Sequence, residues 1–91
     1  MPKRRIKLGK RLLEAADLPA ETAGEPRLTQ VGRSNLLVEN HRGVFEYRAG
    51  CVRLKTRDGM LLVTGGELII RELSKERMLI AGRIDSVGFE G

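Results

Sequence analysis

Residues 59–70 read Gly-Met-Leu-Leu-Val-Thr-Gly-Gly-Glu-Leu-Ile-Ile. Leu61 and Val63 stand two apart, and Leu68 and Ile70 do the same after the paired glycines. Period-two spacing places alternate side chains on one face of a β-strand. The same alternation runs outward in both directions from Arg27 onward: Leu36 with Val38, Phe45 with Tyr47, Val52 with Leu54, Met78 with Ile80, Val87 with Phe89. Gly32, Gly43, Gly50, Asp58-Gly59, Gly65-Gly66 and Gly82 punctuate it. Many short apolar alternations between turn residues predict a mostly β domain of seven or eight short strands. The connections are too short for crossover helices, so neighbours pair largely antiparallel, in a sheet, sandwich or β-roll. Asp58-Gly59 reads as a two-residue hairpin, and Asn40-His41-Arg42-Gly43 as a four-residue turn. Leu61-x-Val63-x-Gly65 recurs as Met78-x-Ile80-x-Gly82, an echo that fits two similar hairpins or two rungs of a small roll. The inward set expected from this phase is Phe45, Val52, Leu54, Leu61, Val63, Leu68, Ile70, Ile80, Ile84, Val87 and Phe89.

Upstream of Pro26 the period changes. Leu8, Leu12, Leu13 and Ala16 fall at i, i+4, i+5 and i+8, one face of a helix over residues 4–17, with Ile6 beside the stripe. Leu18-Pro19 stops it, because the residue before a proline is pushed out of the α region. Residues 19–26 carry two prolines and a glycine with no periodicity and read as a linker. The organisation expected is a basic N-terminal helix (1–18), a linker (19–26) and one β domain (27–91).

Ninety-one residues allow a single, thin core. Phe45, Tyr47 and Phe89 are the only aromatic residues, so Leu, Ile and Val must fill it. One cysteine, Cys51, excludes an internal disulfide and suits a reducing, cytoplasmic setting. No apolar run approaches the roughly 20 residues of a membrane-spanning helix, and the basic start lacks the apolar stretch of a secretory signal. Charge is uneven. Of the net +5, residues 1–18 hold +4, from Lys3, Arg4, Arg5, Lys7, Lys10 and Arg11 against Glu14 and Asp17. Such an arm meets anionic lipid, a partner protein or nucleic acid, or it is a solvated, solubilising tail, or its apolar stripe packs on the sheet. Arg4, Arg5, Lys7, Lys10 and Arg11 are the candidates for contact with an anionic surface. Nucleic acid is the weaker reading, since base stacking needs aromatic platforms and the β region is nearly neutral.

Catalysis needs a nucleophile near a base, paired carboxylates or a metal cluster. His41 is the only histidine, Cys51 the only thiol, and the carboxylates are scattered singly. One His and one Cys make no four-ligand zinc site. Gly65-Gly66 precedes no helix that would cradle phosphate, and serves a turn or bulge. No enzyme, metal or cofactor is expected.

Four segments carry a resemblance: Pro26-Arg27-Leu28-Thr29, Glu39-Asn40-His41-Arg42-Gly43-Val44, Gly59-x-Leu61-x-Val63-x-Gly65-x-x-Leu68-x-Ile70, and Gly82-x-Ile84-x-x-Val87-x-Phe89. With the basic leader ending in Leu-Pro, they resemble the YabP/YqfC family of bacterial sporulation proteins. The resemblance implies a non-enzymatic protein of the mother cell, cytoplasmic and peripheral at the forespore-facing membrane, acting beside a membrane-bound sporulation protein. It brings no catalytic residues. The role expected is a small adaptor or scaffold; the alternative is a structural β protein that self-assembles through exposed strand edges. Glu39, Asn40, His41 and Arg42 are the candidate partner contact, with His41 and Arg42 projecting outward.

Overall fold

The computed structural model describes residues 24–90. Six strands follow one another: β1 (Arg27–Val31), β2 (Asn35–Glu39), β3 (His41–Arg48), β4 (Cys51–Thr56), β5 (Gly59–Leu73) and β6 (Arg77–Phe89). They form one sheet in the order β1-β2-β6-β5-β4-β3, and every pairing is antiparallel. The predicted helix over residues 4–17 lies outside the described residues.

Six strands replace the expected seven or eight because two glycine sites read as turns are bends inside long strands. Leu61-Val63 and Leu68-Ile70 belong to one strand of 15 residues, and Met78-Ile80 and Val87-Phe89 to one of 13. The inward phase is odd-numbered at Leu61 and Val63 and even-numbered at Leu68, so it slips between them. The register records that slip as irregularities between Thr64 and Gly65 and between Gly66 and Ile69. Bulges of this kind bend and twist a strand pair.

Glycine is required where the two strands cross most closely. A Cβ on Gly65 would stand 1.7 Å from the Arg83 carbonyl oxygen. Gly82 has φ +128°, and a Cβ there would stand 2.5 Å from the Glu67 carbonyl oxygen. Neighbouring turns hold the bend from both flanks. The carbonyls of Ala49 and Gly50 accept from the N–H groups of Leu68 (2.8 Å) and Gly65 (3.1 Å). On the other side, those of Arg33 and Ser34 accept from Ile84 (2.7 Å) and Gly82 (3.2 Å). Arg83 and Asp85 clasp each other on the surface of the bend (3.2 Å). Hydrogen bonding from Arg83 holds the Asp85 carboxyl below its usual range.

The bend turns one face of the sheet onto itself. One half-sheet is β1-β2-β6-β5 and the other β6-β5-β4-β3, sharing the two long strands. Leu36 and Val38 of β2 and Val52 and Leu54 of β4 belong to a single buried cluster with Leu61, Val63, Leu68, Met78, Ile80 and Ile84. All ten side chains are essentially inaccessible to water. Ile70 and Val87 are half-buried against this cluster.

Two expected core residues lie outside. Phe45 is 56% exposed because irregularities on either side of Val44 break the alternation of β3. Val44 and Tyr47 pair with the buried Leu54 and Val52, while Phe45 falls between registers and carries the Lys55 ammonium over its ring at 5.8 Å. Phe89 is 47% exposed. It ends β6 opposite Leu61, where β2, which pairs only with residues 77–81, gives it no second neighbour.

The bend predicts a sharp contrast between two glycines. Gly65→Ala should cost more than about 4 kcal/mol or abolish cooperative unfolding, since its clash is with backbone. Gly88→Ala meets nothing within 4 Å and should stay within about 0.5 kcal/mol of the parent. Urea denaturation followed by circular dichroism reads both; equal midpoints would refute the crossing.

Candidate functional site: the β2–β3 corner and its groove

The chain leaves β2 at Glu39 and enters β3 at His41, with only Asn40 between. The expected four-residue turn is thus a one-residue corner. Asn40 takes φ 65°, the left-handed conformation that asparagine tolerates better than most residues. Its N–H donates to the Glu76 carbonyl (2.7 Å) and its side-chain Nδ2 to the Glu25 carbonyl (2.8 Å). One residue therefore ties the entry of β1 to the β5–β6 turn.

His41 is buried, at 8% exposure, and does not project outward as expected. Its Nδ1 accepts the Gly43 N–H at 3.0 Å. The proton must then sit on Nε2, which donates to the Ser74 carbonyl at 2.9 Å. The ring is a bracket between β3 and the β5–β6 turn. Glu39 is also turned from solvent. Arg27 (3.8 Å) and Arg77 (3.3 Å) flank its carboxylate on the outer face of the sheet, and its Oε1 makes no hydrogen bond among the described residues. Of the four candidate contact residues, Arg42 alone is exposed.

Arg42 borders an open groove of about 490 Å³ between the start of β3 and the β5–β6 turn. His41 and Ser74 form one end of its lining, Val44 and Leu73 supply apolar walls, and Lys75 adds a second cation. Val44 is 37% and Leu73 57% exposed. Further along the same gap, the Tyr47 hydroxyl accepts the Ile70 N–H at 3.0 Å, so β3 and the second half of β5 lie side by side. The sequence reading did not single out Val44, Leu73 or Lys75. Phe45 was placed in the core because a bulge leaves no mark on an apolar alternation.

Among the described residues, no three His, Cys, Asp or Glu side chains stand close enough to hold a metal ion, and no helix is long and apolar enough to cross a membrane. Cys51 is a free, half-buried thiol. The basic residues Arg4, Arg5, Lys7, Lys10 and Arg11 lie outside the described residues.

If His41 is a bracket, His41→Ala leaves the Gly43 N–H and the Ser74 carbonyl without partners. The expected cost is about 1–3 kcal/mol. Arg42→Ala, on the surface beside it, should stay within about 0.5 kcal/mol of the parent. Thermal or urea melts of the two variants check this; a silent His41 substitution would contradict the bracket.

Comparison with known proteins bears out the family resemblance. The model of the YabP family matches residues 22–91. The chain is 31% identical over 90 residues to the uncharacterized protein YqfC of Bacillus subtilis (strain 168), across 98% of this chain and 97% of that protein. No solved structure matches the chain. With a small antiparallel β domain closed at a corner of Glu39-Asn40-His41-Arg42-Gly43, this chain belongs to the YabP family.

Proposed function

We propose that this chain is a non-enzymatic sporulation protein, a small adaptor or scaffold of the mother-cell cytoplasm. It acts at the developing-spore membrane beside a membrane-bound sporulation protein. Family membership supports the setting. The observation that carries the mechanism is the outer edge of β3, which pairs with no further strand among the described residues. That strand ends the sheet and exposes Val44 and Phe45, and the adjoining groove adds Leu73 of β5 and the cations Arg42 and Lys75. An edge strand offers free backbone donors and acceptors to an extended partner segment, and flanking pockets select its side chains. Two cations at the rim favour a segment that carries a carboxylate.

The arm completes the reading. Arg4, Arg5, Lys7, Lys10 and Arg11 pull the protein toward anionic headgroups, each side chain contributing about 1 kcal/mol near such a surface. Self-assembly is the second reading, favoured by β1 and β3, which are the edges of the sheet among the described residues; sedimentation that shifts steadily with protein concentration would support it.

Full-length protein with Arg42→Glu and Phe45→Glu, expressed in sporulating cells in place of the parent, tests the adaptor. Both residues are exposed, so the melt should stay close to that of the parent. Recovery in the membrane fraction and spore yield should both fall. Normal membrane recovery and normal spore yield would remove the β3 edge from the mechanism.

A further inference from the structure

Charge is matched over most of this domain. Among the described residues, every arginine except Arg42 and Arg71 stands within 3.8 Å of a carboxylate. Arg42 and Lys75 are exposed, and neither meets a carboxylate among those residues. Both line the groove beside the β2–β3 corner, Arg42 from β3 and Lys75 from the β5–β6 turn, together with Val44 and Leu73. No acidic side chain lines that groove. Glu72, next to Leu73 in the chain, lines a separate hollow with Leu37, Arg77 and Leu79. Polar backbone in the lining is already engaged. His41 holds the Gly43 N–H (3.0 Å) and the Ser74 carbonyl (2.9 Å), and the Ser74 N–H donates to the Arg77 carbonyl (2.8 Å). The two cations are the polar groups left to answer.

We infer that this groove reads a short linear peptide segment in which one aspartate or glutamate adjoins an aliphatic residue. The carboxylate is shared by Arg42 and Lys75, and the aliphatic side chain covers Val44 and Leu73, which stand 37% and 57% exposed. Size agrees with a few residues of extended chain. A groove of about 490 Å³ falls among clefts that hold a single small ligand. The Tyr47 hydroxyl on the Ile70 N–H bridges the same gap further along, so the opening is short. A nucleic-acid strand suits it less. Such a strand carries a charge at every link, whereas this groove offers two cations and apolar walls. The inference rests on the adaptor reading and deepens it: the partner's determinant is a portable stretch of sequence, not a folded surface.

A display library of randomised octapeptides, screened with the full-length protein, tests it. The recovered sequences should be enriched in Asp or Glu beside Val, Leu or Ile. Exchanging the acidic residue of a recovered peptide for its amide should weaken binding about fivefold, the worth of two exposed ion pairs. Binding of the acidic peptide should also weaken as salt rises. Arg42→Glu with Lys75→Glu changes two surface side chains and should turn the enrichment from acidic to basic residues. Should that variant unfold, the amide exchange on the parent protein still decides. Aliphatic peptides recovered without an acidic residue, and indifferent to the charge reversal, overturn the inference and leave edge docking in place. Recovery of no sequence above background overturns it too, as does tighter binding of an oligonucleotide than of any recovered peptide. The adaptor reading fails separately, through normal membrane recovery and spore yield of the Arg42→Glu, Phe45→Glu protein in cells.

Discussion

The close crossing of β5 and β6 at Gly65 and Gly82 is the constraint on which the rest depends. A single antiparallel sheet has two faces and no inside. It acquires an inside only if it folds over, and folding over requires two backbones to approach where no Cβ can stand. Gly65 against the Arg83 carbonyl and Gly82 against that of Glu67 meet that requirement. The carbonyls of the two flanking turns then take the N–H groups that the bend would otherwise strand. Once the bend exists, β2 and β4, separated by two strands in the sheet, share one core.

The corner at Asn40 and His41 is the complementary fixture. The bend sets the two half-sheets face to face, and the corner carries the chain from one to the other in a single residue. Asn40 and His41 bind the carbonyls of Glu25, Ser74 and Glu76, three points on two other segments. In the Glu-Asn-His-Arg-Gly element, which is one of the segments that carry the family resemblance, Glu39 and His41 are buried and Asn40 is half-buried. Its role is architectural. In the function proposed above, recognition falls to what the corner positions beside it: Arg42, Val44, Leu73 and the edge of β3.

Much of this was legible in the sequence. The alternation named Val52, Leu54, Leu61, Val63, Leu68, Ile80 and Ile84 as inward, and all are buried. Gly65-Gly66 was read as a turn or bulge, but the alternation cannot distinguish a glycine that ends a strand from one that bends it. Two long strands were therefore counted as more. Phe45 was misplaced because a shift of one residue reverses a side chain's face, and nothing local announces the shift. His41 was recognised as an unsuitable catalyst, yet its inward turn depends on the β5–β6 turn some thirty residues on, a contact that no local pattern encodes. The groove has the same origin, since its two walls come from β3 and the end of β5.

The core exists only if the sheet folds face to face, and methyl nuclear Overhauser spectra of the full chain test that directly. In the bent sheet, the methyls of Leu36 and Val38 should show cross-peaks to those of Val52 and Leu54, because all four side chains lie in one cluster. In a sheet that kept the same strand order without bending, β2 and β4 would stand three spacings apart, about 14 Å, and no cross-peaks would appear. Strand-pair contacts between β5 and β6 with no contact between β2 and β4 would contradict the account.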